Sequence, residues 1–359
     1  MNIIKKLWKN KLTRIYTIAA GAIIFLILIV VVISLSTRST TVNESTLTRA
    51  AKKYLEANEK LLPQNDYDSR TISLATLVAS DYIDSETDGA NCSSYVTVIK
   101  LDDNYYYTPY IKCNDDDDTT LLADILLDNV VEDGDGLYNY NNSYIFRGEN
   151  PNNFVELNNS LWRIIGLDES NNIKLIYYDD YIEYECWDDR YNSEFDEQYG
   201  INDYSLSRMK DYLDSYLETL ENNDDLVFID DIKIRLAKFE QCTGKIDLED
   251  GNTNTCSSTI DDQLVGLITA VDYVNASLDS SCTITNTINC QNYNFLNNSG
   301  WTISAYESRS SYVYYIDKNY GLKTSNAYIS RAIYPTIALR SDVIYESGIG
   351  TESDPYIIK

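Results

Sequence analysis

The 359-residue chain contains no histidine. That removes Ser-His-Asp and Cys-His nucleophilic arrangements, a histidine-based zinc protease site and any imidazole general base. A Gly-rich phosphate loop and a dinucleotide-binding fingerprint are also missing. There is no C-x-x-C, so the seven cysteines do not read as a zinc site. Positive charge is scarce, with 29 Lys and Arg against 56 Asp and Glu, for a net charge of −27. It is also unevenly placed. Residues 1–38 hold six basic and no acidic residues, which leaves 23 basic and 56 acidic residues in 39–359, a net charge of −33. A surface this acidic repels nucleic acid and anionic lipid, and it stays soluble when exposed.

One stretch lacks charge altogether. Ile15–Ser36 runs for 22 residues between Arg14 and Arg38. A helix rising about 1.5 Å per residue needs roughly 20 apolar residues to cross the hydrocarbon core, so this run is predicted to span a membrane. Lys5, Lys6, Lys9, Lys11 and Arg14 precede it and hold the N-terminus in the cytoplasm, placing the remainder outside the cell. A cleaved signal peptide would have an apolar region of about 7–15 residues ending in a small-x-small site. This run is longer and continues into Ser-Leu-Ser-Thr-Arg-Ser-Thr, so an uncleaved single-pass anchor is the expectation. All seven cysteines lie beyond it, on the oxidising side. Their spacing points to three local pairs, Cys92–Cys113, Cys242–Cys256 and Cys282–Cys290, and leaves Cys186 unpaired. Spacing alone does not fix connectivity.

After the span, Leu47, Ala50, Ala51, Tyr54, Leu55, Asn58, Leu61 and Leu62 recur at helical spacing, with Asn43 or Ser45 as the cap and Pro63 as the end. Ser73–Ile83 predicts a second, shorter helix. Tyr95–Leu101 and Tyr105–Lys112, joined at Asp102-Asp103-Asn104, predict a β-hairpin with Cys92 and Cys113 at its open end. An apolar segment, an amphipathic helix, a helix end carrying Leu77, Val78, Tyr82 and Ile83, and a cysteine-flanked hairpin together resemble a type IV pilin or pseudopilin over roughly residues 15–115. The resemblance implies an α+β head on an apolar helix that serves as anchor. The Gly-Phe/Met-Thr-Leu-x-Glu processing site of such proteins is absent around Gly21, so the similarity is one of fold and not of filament assembly.

Asn114–Thr120 is an acidic junction, read as a solvated linker and not a calcium loop. Leu121–Val131 predicts a short helix. Asp133 and Asp135 open like a calcium loop, but no glutamate stands at the twelfth position, so 132–136 reads as a turn. Phe154–Leu167 and Ile173–Tyr178 predict a hairpin, with Trp162–Gly166 apolar on both faces and hence central. Ser205–Leu220 predicts a helix ended by Asn222–Asp225. Leu264–Ala270 reads as a buried strand or strand-to-helix corner, and Leu278–Cys290 as an exposed stapled loop. Trp301–Ala305, Tyr312–Ile316, Gly321–Thr324, Ala332–Leu339 and the end of the chain read as strands.

This part of the chain is similar to a family of surface proteins of gut Firmicutes and Mollicutes relatives. The matching runs are Asp133-Gly134-Asp135-Gly136-Leu137-Tyr138, Arg147-Gly148-x-Asn150-Pro151-Asn152-Asn153, Leu161–Gly166, Gly266–Thr269 and Gly350–Tyr356. The ending, Trp301-Thr302-x-Ser304, then Gly321, then Pro335-x-Ile337-x-Leu339, resembles C-type-lectin-like domains. Formylglycine-generating-enzyme-like and bacterial lipoprotein modules share it. The implied organisation is a tail and transmembrane anchor (1–38), a pilin-like domain (39–115), an acidic linker (116–120) and a C-type-lectin-like surface domain (121–359), α+β throughout.

Few residues suggest chemistry. Glu183, Glu185, Asp188 and Asp189 surround Trp187 and could supply a glycosidase pair, although a solvated acidic loop accounts for them equally well. Cys186 has only Arg190 nearby to lower its pKa, so an unpaired or intermolecular cysteine is expected over a reactive one. The 32 tyrosines and many asparagines reflect a bias spread along the whole chain. The calcium-dependent sugar site of lectin-like folds is not matched, because Glu149-Asn150-Pro151-Asn152 carries an inserted residue and Thr302-Ile303 follow Trp301. No catalytic residue, metal ligand or cofactor is therefore assigned, and calcium has only weak support. The sequence points to an anchored surface protein whose extracellular part binds a protein or glycan. The alternatives are a pseudopilin-like part of a secretion or uptake machinery and a carboxylate-based hydrolase of envelope polymer.

Overall fold

A computed structural model describes residues 41–113, 119–178, 183–217, 230–246, 256, 258–283 and 285–359. The predicted span Ile15–Ser36, most of the acidic junction and the helix end Asn222–Asp225 lie outside the described residues. Among those described, no helix is long and apolar enough to cross a membrane. The fold is mixed α+β with several sheets, and strands predominate. The described residues divide into two compact units, one of residues 41–62, 70–98 and 107–113, the other of 63–69, 99–106 and those from 119 onward.

In the smaller unit, helix α1 (Glu44–Ala57) buries Leu47, Ala50, Ala51 and Leu55. Asn43 Oδ1 accepts the Thr46 N–H at 2.9 Å, a cap that contributes about 1 kcal/mol. The helix stops before the predicted Leu62, because Asn58 Nδ2 turns back to donate to Tyr54 O and a 3₁₀ turn, Glu59–Leu61, follows. Strand β1 (Ser69–Ser73) was not anticipated. Ser73 Oγ accepts the Thr76 N–H and starts helix α2 (Leu74–Ala79). Asp81, at φ 59°, follows its end, so this helix is shorter than the predicted Ser73–Ile83. Strands β2 (Tyr95–Leu101) and β3 (Asn104–Tyr110) complete a sheet of order β1-β2-β3. A disulfide joins Cys92 to Cys113 beside the hairpin, with a Cα separation of 4.8 Å.

The larger unit begins with helix α3 (Leu122–Leu127), which buries Leu122, Ala123 and Leu126. Strands β4 (Gly136–Tyr140), β5 (Ser143–Arg147), β6 (Phe154–Leu157), β7 (Ser160–Leu167) and β8 (Ile173–Tyr177) follow. Sequence periodicity joined β6 and β7 into one run. The structure divides them at Asn158 and Asn159, with φ of 50° and 64°. Positive φ at both positions is the requirement of a type I′ two-residue hairpin turn, and asparagine tolerates it. Strand β7 is central, as expected, pairing with β5, β6 and β8 and burying nearly every residue.

Beyond β8 come β9 (Tyr184–Cys186) and helix α4 (Arg208–Asp214), capped by Ser207 Oγ on the Lys210 N–H. Strands β10 (Phe239–Cys242), β11 (Lys245–Ile246) and β12 (Thr259–Gln263) precede a buried corner at Val265–Ile268. The corner leads into helix α5 (Ala270–Ala276), where Thr269 and Asp272 form a reciprocal capping box. Strands β13 (Gly300–Tyr306), β14 (Tyr312–Asp317) and β15 (Gly321–Asn326) make a meander. Pro335, which lacks an N–H, divides the predicted Ala332–Leu339 strand into β16 (Ser330–Ala332) and β17 (Thr336–Leu339). The last strands are β18 (Tyr345–Ser347) and β19 (Tyr356–Ile358). The main sheet runs β17-β8-β7-β6-β19-β18, so the end of the chain returns parallel to β6. Trp162, Trp187 and Trp301 are fully buried in its core.

Candidate functional site

Three separated runs of sequence converge on one cleft. The first is the turn before β4. Asp133 Oδ1 accepts the Gly134 N–H at 2.9 Å, and Tyr138 OH donates to Gly134 O at 2.6 Å, so the turn is fixed by its own side chains. The second follows β5. Asp135 Oδ2 accepts the Asn150 N–H at 2.8 Å, and Gly148 donates its N–H to Ala276 O at 2.9 Å. Gly148 has φ +111°, and a Cβ there would stand 2.1 Å from Asp135 Oδ1 and 2.9 Å from the Asp135 Cα. Only glycine lets the two runs approach this closely. The third run precedes β19. The Phe154 N–H donates to Gly350 O at 2.9 Å, and a Cβ on Gly350, at φ +77°, would come within 2.7 Å of Asn152 O.

The cleft they enclose measures about 520 Å³. Its apolar lining comes from Leu126 of α3, Leu137 of β4, Phe146 of β5 and Tyr356 of β19, all buried. Asp135, Asn150 and Asn152 are exposed at its rim. Among the described residues, neither the Asn150 and Asn152 side-chain amides nor Asp135 Oδ1 has a hydrogen-bond partner. No Lys or Arg lines it. Tyr345 packs edge-on against Tyr356, with ring centroids 6.3 Å apart, and donates its hydroxyl to Gly348 O at 2.9 Å. Burial, with Tyr345 adding to it, pushes the Tyr356 phenol above its ordinary pKa, so it stays neutral. The result is an aliphatic and aromatic floor beneath neutral amides and one carboxylate.

The acidic group around Trp187 is arranged otherwise. Asp188 is fully buried, contrary to the expected solvated loop. Its carboxylate accepts Arg190 Nε at 2.8 and 3.0 Å and the backbone N–H of Ile201 at 2.7 Å. Asp189 is paired with Arg208. Glu185 O accepts the Trp301 indole N–H at 3.0 Å, so this tryptophan presents neither face nor N–H to a sugar. Asp188 thus ties a loop together and is not available as one member of an open carboxylate pair. Cys186, on β9, is a free thiol of intermediate exposure. Burial raises its pKa, and Asp189 and Glu185 raise it further, so it stays protonated near neutrality.

Two more disulfides, Cys242–Cys256 and Cys282–Cys290, close local loops in the larger unit, with Cα separations of 5.6 and 4.6 Å. Three disulfides in one chain belong to an oxidising, extracytoplasmic compartment. The 278–290 loop is exposed or half-buried among its described residues, as expected, except at Cys290, which is buried. Among the described residues, no group of three Cys, Asp or Glu stands together to hold a metal ion, and Asp133 and Asp135 form part of a turn.

No protein-family model, curated protein or solved structure matches the chain. The cleft therefore has to be judged on its own chemistry. Sequence reasoning noted each of its three runs but had no means of bringing them together. It missed Arg163, which reads in sequence as one member of an apolar strand. A cation between Trp162 and Ile164 was the available signal.

Proposed function

We propose that this chain is a membrane-anchored bacterial surface protein that binds a ligand outside the cell, with the cleft at Asp135, Asn150 and Asn152 as its binding site. The ligand class that fits is a neutral, hydroxyl-rich glycan. Amide and carboxylate groups pair with hydroxyls, while aliphatic and aromatic walls pack against the C–H faces of sugar rings. The observation that supports this reading is the convergence of three distant runs on a cleft where the Asn150 and Asn152 side-chain amides have no protein partner. In this reading Ile15–Ser36 is the anchor, and the smaller unit is a pilin-like stalk for a C-type-lectin-like domain.

The test is binding of residues 39–359, made as a soluble protein, to glycan arrays with and without calcium. The double variant Asn150→Ala/Asn152→Ala is measured beside it. Each lost hydrogen bond weakens binding by about 1 kcal/mol, so the pair should reduce affinity roughly tenfold or more. Absence of glycan binding, or equal binding by the variant, refutes the assignment.

A further inference from the structure

Ile349 is 61% exposed and lines the cleft. An exposed apolar residue is ordinary on a protein surface and by itself points to nothing. This one is held in place by its backbone and not by its side chain. The Tyr345 hydroxyl donates to Gly348 O at 2.9 Å, the Ile349 N–H donates to Asp354 O at 3.1 Å, and the Phe154 N–H donates to Gly350 O at 2.9 Å. Gly348 and Gly350, on either side, have φ of +91° and +77°, a conformation that other residues rarely adopt. A fastened turn thus presents one aliphatic side chain at the cleft.

The neighbours of that side chain are polar. Asn152 lies against the same turn, since a Cβ on Gly350 would come within 2.7 Å of Asn152 O. The Asn150 and Asn152 side-chain amides are exposed and have no protein partner. An amide both donates and accepts. A plain hexose offers hydroxyls to these amides but sets hydroxyl-bearing edges against the isoleucine. An acetamido substituent carries a methyl group beside an N–H and a C=O, which matches an aliphatic side chain beside amides. It is also uncharged, which suits a lining without Lys or Arg.

We propose that the cleft prefers glycans bearing an acetamido group, with the methyl packed on Ile349 and the amide paired with Asn150 or Asn152. This preference rests on the glycan reading of the cleft. The experiment titrates soluble 39–359 with matched pairs of array glycans that differ only in a hydroxyl or an acetamido group at one ring position. Ile349→Ser removes the apolar contact, and Ile349→Val keeps most of it. Thermal unfolding midpoints of both variants check that the fold is unchanged.

A methyl contact and one further hydrogen bond together favour the acetamido member roughly tenfold or more. The expected result is that ratio in the unaltered protein and in Ile349→Val, and a several-fold smaller one in Ile349→Ser, with affinity for the hydroxyl member unchanged. A ratio near one, or a ratio undiminished in Ile349→Ser, overturns the proposal. Hydroxyl members that bind as well as their partners and depend on Asn150 and Asn152 would leave the glycan reading standing while the preference falls. Absence of binding to every glycan removes both.

Discussion

Asp272 gives the sharpest test of how the larger unit is held together. Its Oδ2 accepts the Thr269 N–H at 2.8 Å and Lys174 Nζ at 2.9 Å, fastening the start of α5 to strand β8. Both side chains are about a quarter exposed, at 23% and 26%. Burial alone would raise the carboxyl pKa, but Lys174 and the Thr269 N–H outweigh it and hold it below the ordinary value. In Asp272→Asn the amide oxygen can still accept from Thr269, so the loss is that of charge. A partly buried charge-assisted bond, with the favourable position of an anion at a helix start, contributes about 1–2 kcal/mol. A depressed carboxyl pKa stabilises the fold above the unfolded value of about 3.9 and ceases to do so as pH falls through the folded value. The gap between unaltered protein and variant should therefore be about 1–2 kcal/mol at pH 7 and shrink as pH drops below about 4. Urea unfolding followed by tryptophan fluorescence at both pH values measures it. A gap below about 0.3 kcal/mol at pH 7, or one that persists unchanged in acid, would refute the reasoning.

Two further outcomes concern local features. Asn159→Ala in the β6–β7 turn should cost about 1 kcal/mol in urea unfolding, because alanine keeps the Cβ but lacks the short polar side chain that lets asparagine tolerate φ of 64°, and Asn159→Gly, with no Cβ, should cost nothing. Equal losses in both would point to the asparagine side chain instead. Cys186 should react with a disulfide reagent at neutral pH about tenfold more slowly in the folded protein than in urea, since burial and the neighbouring acids keep it a thiol. Equal rates would show the site to be open.

Periodic features were legible in the sequence and long-range geometry was not. The apolar stripe of Leu47, Ala50, Ala51 and Leu55 gave α1, because helical spacing and burial express the same fact twice. Trp162–Gly166 gave a central strand for a similar reason. Boundaries failed where a side chain competes with the backbone. Asn58 turned back onto Tyr54, and Asn158-Asn159 broke a strand without a glycine to announce it. The cleft could not be read at all. Asp135 and Asn150 are fifteen residues apart and joined by one hydrogen bond, whereas Gly350 reaches them only because β19 returns beside β6. Asp188 misled for another reason: acids crowded in sequence usually share solvent, but this one is turned inward onto Arg190 and the backbone.

The run Asn150-Pro151-Asn152-Asn153 joins the cleft rim to the strand behind it. Asn150 and Asn152 line the cleft, while Pro151 O and Asn153 Oδ1 hold the Arg163 guanidinium. Asn153 also donates Nδ2 to Ile164 O at 2.7 Å, so its amide is fully oriented by β7. The Asn153 N–H donates to Pro151 O at 2.9 Å, so the run is a tight turn that exposes Asn150 and Asn152 and buries Pro151 and Asn153. In Asn153→Ala the buried Arg163 Nε and Ile164 O both lose their partner, and the two asparagines on either side of Pro151 lose the side chain that fastens their run to β7. The variant should therefore lose about 2 kcal/mol in urea unfolding and bind an array-selected glycan more weakly. An unchanged unfolding midpoint together with unchanged affinity would show that the backbone alone holds the run in place.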